Sequence, residues 1–588
     1  MIIDANYFDI FLEGKSLNRR NFRSVSQVII DDISKKISHE LIKNNIIKKN
    51  ILELDDIKLN LYFQKIVYEN SKYLVNFILN NRYLKKQKKK LIIYLDFNEL
   101  NGFFLKNVCA NFIEIKTKNR INYFLKNILK FFYIIFFSFI YSLFQKFLIR
   151  KTIESNIAFT FVEGLNIKTR NDVFWISSKL SKYPIVIFFN SKKDLRIFNK
   201  EIKNHFLSRF RTTKIKLYGL NRFNYRLKLN EQIQILKLFF VNIFKNNYLF
   251  TYLELTLKTK YWTNYFIQNN IKIYYENLEG VSNFFRNFAL DQTNGFAFSK
   301  ERTLLSVTGP LDYYCSFSED VKFLNNQLSL ANFTKLINYS SINLISGYPY
   351  YSKHVYKLED AINSKYNSFS KVFIFFDSNH SNDLDLNEIA FIETGFVREI
   401  YLILIELIEK YNIGILIKSK KNKFSNFLFE DANFKNYLNK NIFIINKSFG
   451  IQPLSFKNCA DFAISIGTNL PASLIEFLSY SNKNGLFVNY HQNIISNVNL
   501  DLLKKNELVL DNLNDFKKCL IKYINGDNGV GNWDKFKDNL FFSQNDINGY
   551  QKISYFLENC LLNINKSKNE YLKIATLKYK KKFSNNVN

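Results

Sequence analysis

The chain is poor in the residues that build metal centres and disulfide scaffolds. It has five cysteines and five histidines in 588 residues. The cysteines, Cys109, Cys315, Cys459, Cys519 and Cys560, are scattered and odd in number, with no CxxC spacing. This excludes a disulfide framework and reads as reduced, buried thiols in a cytosolic protein. The histidines are equally dispersed, so no metal site is expected. Basic residues are missing where a signal peptide needs them, because the chain begins MIIDANYFDIFLEG, and export is not expected. Acidic residues are scarce overall, 51 against 83 Lys and Arg, for a formal charge of +32. The same chain has one Met, 5 Pro and 17 Gly, and abundant Lys, Asn, Ile, Phe and Tyr. That bias points to an AT-rich coding sequence more than to a nucleic-acid surface. Zinc-finger spacing, a basic helix with heptads and an RNA-binding aromatic signature are all absent. A basic nucleic-acid-binding protein remains an alternative, and it requires binding that depends steeply on salt.

What is present is material for a core. Hydrophobic residues are 47% and aromatics 17%, which excludes general disorder, and the length implies more than one domain. From about residue 90, short apolar runs alternate with helical stretches: LIIYLDF (91–97), FIEIKTK (112–118), PIVIFFN (184–190), KIKLYG (214–219) and IKIYYEN (271–277). A second series follows: SINLISGYP (341–349), KVFIFFDSNH (371–380), a helix around ETGFVREIYLILIELIEKYN, then IGILIKSKKN, NIFIINKS, FAISIG and GLFVNY. Strands alternating with helices imply α/β architecture with mainly parallel sheets, and strands this apolar are buried on both faces. The expected division is a mixed, helical region over 1–90, a Rossmann-like domain over 91–335, a second over 336–562, and a basic, frayed tail over 563–588.

One run, FFYIIFFSFIYSLFQ (131–145), is uncharged and lies between Lys130 and Lys146. As a helix it would measure about 22 Å, short of the roughly 30 Å hydrocarbon core. Ser138, Tyr141, Ser142 and Gln145 share one face, and Lys126, Lys130, Lys146, Arg150 and Lys151 flank the run. The helix, within 125–150, is expected either to lie in a membrane interface or to be a core element.

In doubly wound sheets, ligands collect at the carboxyl ends of strands. The polar residues there are Asp377, Asn379 and His380, then Lys418, Lys420 and Lys421, then Thr468 and Ser473. Basic groups and hydroxyls at one sheet edge suit a diphosphate or a nucleoside monophosphate. The segment GTNLPASLIEF opens a helix whose N–H groups can receive an anion. In IYYENLEGVSNFF (273–285) a strand ends at Glu276, Asn277, Glu279 and Gly280. A carboxylate there caps a helix well, or serves as a general base toward a sugar hydroxyl.

These motifs resemble those of bacterial surface-carbohydrate glycosyltransferases of the GT-B type, most of all the sialyl- and Kdo-transferase-like capsule and lipopolysaccharide enzymes, over roughly residues 270–560. The resemblance implies two Rossmann-like domains facing across a cleft. It implies transfer of a sugar from a nucleotide-sugar donor to a surface polysaccharide or lipid-linked glycan. Such enzymes carry an acidic pair before glycine; Leu278-Glu279-Gly280 keeps the second acid, with Glu276 nearby, and Glu279 is the favoured base. Their basic donor-phosphate motif corresponds to Lys418-Ser419-Lys420-Lys421, and their hydroxyl-bearing turn to Thr468, Ser473 and Glu476, with Asp377 and His380 beside it. No metal or cofactor is implied. The expected location is cytoplasmic, peripheral at the inner face of the cytoplasmic membrane. A nucleotide-sugar epimerase of related two-domain fold is the other enzyme alternative.

Overall fold

A computed structural model describes residues 3–4, 58–59, 61–63, 66, 91–96, 108–109, 113–144, 156–160, 180, 183, 185–189, 196, 214–217, 227, 229–242, 249–276, 282–300, 319–324, 341–347, 368–378, 380–381, 392–418, 431–445, 453–467, 472–490, 503–536 and 549–583. Among the described residues every strand pairing is parallel. Two short strands, β1 (Ile3–Asp4) and β3 (Val108–Cys109), pair with each other, as do β2 (Leu91–Asp96) and β4 (Ile113–Lys118).

The first large sheet holds β5 (Ile157–Thr160), β6 (Ile185–Phe189), β7 (Lys214–Leu217), β8 (Ile273–Tyr275), β9 (Phe296–Lys300), β10 (Val321–Leu324) and β11 (Ile342–Ile345). Their spatial order is β11-β10-β9-β8-β5-β6-β7. Counted from its own first strand this is 7-6-5-4-1-2-3, the Rossmann order 3-2-1-4-5-6 with a seventh strand added. The second sheet holds β12 (Lys371–Phe376), β15 (Ile413–Lys418), β16 (Ile442–Ile444), β17 (Phe462–Gly467), β18 (Asn484–Asn489) and β19 (Val509–Leu510). Its order, β16-β15-β12-β17-β18-β19, is 3-2-1-4-5-6 again. The short strands β13 (His380–Ser381) and β14 (Ile392–Glu393) pair beside it. The expected α/β class is therefore what the chain adopts, as two doubly wound, Rossmann-like units.

The cores follow from strand periodicity. In β12, Val372, Ile374 and Phe376 point to one side and Phe373 and Phe375 to the other. Helix α5 (Thr394–Lys410) and helix α7 (Leu513–Ile524) cover the second side through Ile400, Leu404, Phe516 and Leu520, while α6 (Ala472–Ser481) covers the first through Leu474, Phe477 and Leu478. A parallel sheet needs both coverings because its crossovers run over both faces.

Several expectations change here. The run 341–349 was read into the second domain, but Ile342–Ile345 pairs with β10 as the edge strand of the first sheet. The tail expected to fray is instead an ordered hairpin end: α8 (Gly549–Leu562) and α9 (Lys568–Phe583) lie on one face of the first sheet. Ile553, Phe556, Leu557, Tyr571, Leu572 and Tyr579 are buried there against Phe159, Tyr275, Phe298 and Phe323. Lysines mask this role in the sequence, since a helix with exposed Lys580, Lys581 and Lys582 in its last turn still buries a stripe. The strands expected at 91–97 and 112–118 form over Leu91–Asp96 and Ile113–Lys118, but pair with each other outside the seven-stranded sheet, whose central strand β8 is flanked by the unforeseen β5. Part of the unplaced region 1–90 is visible: Tyr62 sets its ring 5.7 Å and 5.8 Å from Phe284 and Phe285 of α4 (Ser282–Gln292).

The apolar helix runs longer than its uncharged stretch. Here α1 spans Arg120–Phe144, 25 residues. By length and composition alone, Arg120–Ile140 is enough to cross a membrane. It is packed along one side against α2 (Leu229–Asn242) and α3 (Leu249–Gln268). Ser138, on the polar face of the run, is buried.

Candidate functional site

In a sheet of this order the crevice opens where the strand order reverses, outside the carboxyl ends of the first and fourth strands. Each unit has one such point. In the second sheet it lies between β12 and β17, and register places Phe376 opposite both Lys418 of β15 and Ser465 of β17. The strand ends therefore form a level row. Asp377 leaves β12 buried, its N–H donating to the Lys418 carbonyl at 3.2 Å. Its Oδ1 accepts from the Ser378 N–H at 2.7 Å. Burial pushes the Tyr401 hydroxyl well above the usual tyrosine range, and the adjacent Asp377 carboxylate adds to this. Asp377 is thus held from two sides at the switch point. Ser465 Oγ donates to the Phe376 carbonyl at 3.2 Å, closing the row.

β17 ends on Gly467, whose carbonyl accepts from the Tyr490 N–H at 2.9 Å. α6 then begins at Ala472, with Leu474, Ile475, Phe477 and Leu478 buried and Ser473 and Glu476 half-buried on the remaining side. The helix start stands at the switch point, with the polarity that favours an anion. The neighbouring strand β18 ends on the buried Asn489, which donates to Asp511 Oδ1 at 2.7 Å, and Asp511 pairs with Lys504 at 2.5 Å. This Asn489–Asp511–Lys504 group went unnoticed in the sequence, although it follows directly from reading GLFVNY as a strand and asking what ends it.

The first sheet reverses between β5 and β8. Tyr275 lies opposite Phe159 of β5 and Phe298 of β9, so Glu276 emerges at the switch point itself. Its N–H donates to the Phe298 carbonyl at 2.8 Å and its side chain is buried. On the next strand Lys300 is also buried, its Nζ 5.5 Å from the Tyr275 ring, which stacks on Phe298 at 5.1 Å. Lys300 was missed because FAFSK was not recognised as a strand; Gly295 before it was the available signal. Behind the strand, Arg286 of α4 donates to the Tyr274 hydroxyl at 2.7 Å and lies over the Trp262 ring at 4.7 Å, which anchors α4.

The structure thus brings Asp377, Lys418, Ser473 and Glu476 to one sheet end and Glu276 to the corresponding end of the other sheet. Glu279, Lys420, Lys421 and Thr468, with Asn277, Gly280 and Asn379, lie outside the described residues. His380 falls in β13, beside the end of β12. The described cysteines Cys459, Cys519 and Cys560 are free; burial pushes the Cys459 thiol up to about 11, a poor nucleophile at neutral pH.

No protein-family model matches the chain, and neither does any curated protein sequence. Among solved structures it is similar to MnaA of S. aureus with UDP, at 11% identity over 70% of this chain and 98% of that one, TM-score 0.43. It is similar to UDP-GlcNAc 2-epimerase of Neisseria meningitidis bound to UDP-GlcNAc, at 13% identity over 69% and 99%, TM-score 0.40. A glycosyltransferase of Rickettsia africae matches at 14% identity over 73% and 98%, TM-score 0.36. The fold assignment rests on the strand orders above.

Proposed function

We propose that the protein is a nucleotide-sugar-processing enzyme of the GT-B type. One observation carries this reading: two sheets of Rossmann order in one chain, with an anion-receptive helix start at one switch point and a buried glutamate at the other. In this reading the donor diphosphate binds between β12 and β17, met by Lys418, Ser473 and the start of α6, and Lys420, Lys421 and Thr468 continue the same loops. Asp377 and Glu476 face the sugar or ribose hydroxyls rather than the phosphate. Glu276 is the general base, with Glu279 its near neighbour in the chain. It takes the proton of an acceptor hydroxyl, the oxygen attacks the anomeric carbon, and the bond to the diphosphate breaks. The lysine and the helix start neutralise the charge that develops on the leaving group. The reading assigns no metal or cofactor.

We favour transfer to a surface polysaccharide or lipid-linked glycan over epimerisation. The apolar helix α1, with its exposed side, suits a polymer or lipid acceptor and is superfluous for a small soluble substrate. The free thiols Cys459, Cys519 and Cys560 among the described residues agree with a cytoplasmic location. The test is purified protein with nucleotide sugars, with and without glycan acceptor. Product that forms only with acceptor supports transfer, and epimerised donor without acceptor replaces it with the epimerase reading. No nucleotide binding to the folded protein, by thermal shift across CMP, UDP and GDP, would end both.

A further inference from the structure

The surface of α1 is divided in an unusual sense. Its inner side, Phe131, Ile134 and Ile135, packs on Ile235 and Phe239 of α2 and on Phe250, Leu253 and Leu257 of α3, with Phe131 stacked on Phe239 at 4.5 Å. The polar Ser138 is on this inner side, 1% exposed. The outer side carries Ile121, Leu125, Leu129, Phe132, Tyr133, Phe136 and Phe139, from 40% to 75% exposed. Their three- and four-residue spacing makes one continuous stripe. A helix turned toward water would place these residues the other way round. The stripe does not stop at α1: Phe240 of α2 is 61% exposed, with its ring 6.4 Å from that of Phe132.

The charge around this face has one sign. α1 contains Arg120, Lys126 and Lys130 and no carboxylate. Among the described residues Glu254 pairs with Lys258 at 2.5 Å, with Lys130 also favouring its charged form, and Glu231 pairs with Lys260 at 3.3 Å. Lys146, Arg150 and Lys151 follow in the sequence. We propose that the α1–α2 face docks on an anionic phospholipid bilayer, with the apolar stripe in the boundary between headgroups and acyl chains and the cations on the lipid phosphates. A second copy of the chain is the poorer occupant, because a two-fold contact through this face would set Lys126 and Lys130 of both copies together. Crossing is disfavoured as well, since the packed α2 and α3 would carry Glu231, Lys237 and Glu254 into hydrocarbon. The helix therefore lies in the plane of the interface.

Flotation of the full chain with vesicles tests this independently of the nucleotide reading, because it needs no substrate. Vesicles of phosphatidylcholine with phosphatidylglycerol should bind on the order of 100-fold more tightly than phosphatidylcholine alone, from three cations near the surface. Rising salt should weaken that preference. The F132E/F136E variant should lose flotation with unchanged circular dichroism and unchanged nucleotide binding. Should it unfold, I121S/L129S, at the two most exposed positions of the stripe, takes its place with a smaller loss. Wild-type protein that floats on neither vesicle or equally on both overturns the proposal. So does a folded variant that floats like wild type, or a wild-type dimer that the variant converts to monomer.

Discussion

The two sheets share a strand order and differ in how their cores are closed. Among the described residues, the buried groups in the two cores of the second sheet all come from between Val372 and Phe536, so that unit is covered by chain that is local to it. One face of the first sheet is closed instead by α8 and α9, which arrive after the whole second unit has been built. The attachment is specific as well as apolar. Tyr579 donates to the Ile345 carbonyl at 2.7 Å, Tyr571 to the Asn294 carbonyl at 3.0 Å, and Lys568 bridges Asp291 and Asp320 together with Lys58 from near the N-terminus. Equal topology does not make equal units: one can be complete when its own sequence has been made, the other only once α8 and α9 have been made.

The largest expected effect is from ending the chain at residue 548. Burial of a Leu, Ile or Phe side chain stabilises by about 1.5–3 kcal/mol, so losing Ile553, Phe556, Leu557, Leu572 and their neighbours approaches the whole stability of a domain, about 5–15 kcal/mol. Hydrogen exchange should then show protection lost over β5–β11 and kept over β12–β19. Equal loss in both would mean that the units fold as one, and the comparison breaks.

The next effect is chemical and sharpens the division of labour. Glu276→Gln should lower turnover by on the order of 10²- to 10⁴-fold with nucleotide affinity unchanged. Lys418→Ala should do the converse, weakening nucleotide binding while leaving the fold intact. Near-normal turnover in Glu276→Gln would move the base elsewhere, with Glu279 first in line.

Point substitutions in the cores follow. Phe556→Ala and Phe477→Ala should each cost about 3–5 kcal/mol, the first lowering protection only around the first sheet and the second only around β12–β18. Exchange that spreads across both units from either variant would contradict separate closure.

The smallest effect is electrostatic and runs in opposite directions at two neighbouring carboxyls. Burial alone would raise Asp320, but Lys568 and Lys58 outweigh it and hold the group below the usual aspartate range. Its contribution is present above the unfolded value near 3.9 and is lost as pH falls through the lower folded value. Glu319 is raised, chiefly by burial and only partly offset by Lys322 at 3.4 Å, so it favours the folded state more as pH falls toward its unfolded value near 4.3. Stability of the first unit should therefore rise on mild acidification and fall below about pH 4. In chemical denaturation across pH, Glu319→Gln should remove the rise and Lys568→Met should flatten the fall.

The strands of the second sheet were legible almost in full. KVFIFF, IGILIK, FAISIG and GLFVN appear where expected because each is an unbroken apolar run that only a doubly covered strand explains. Asking what ends each run singles out Asp377, Lys418 and Glu276, and register sets Asp377 just beyond the pair Phe376–Lys418; Ser473 lies on α6, outside the strands, and Lys300 escaped with its strand. The assignment of 341–349 failed for a physical reason: INLI is equally apolar beside either sheet, and the choice of β10 as partner is made by a contact its own residues do not encode. Periodicity likewise marks a polar face on α1 without saying which way it turns, and packing turns Ser138 inward.

Composition and pattern determined that this chain is α/β, that its strands are parallel and doubly buried, and that polar groups gather at their carboxyl ends, because each of these follows from local spacing and burial. Which strands share a sheet, that the lysine-rich C-terminus seals the first unit, and that α1 presents phenylalanine outward with Ser138 within were decided only by tertiary packing. The sealing of the first unit depends on partners far away in the chain, as between Tyr579 and Ile345, 234 positions apart, and no local period carries that information.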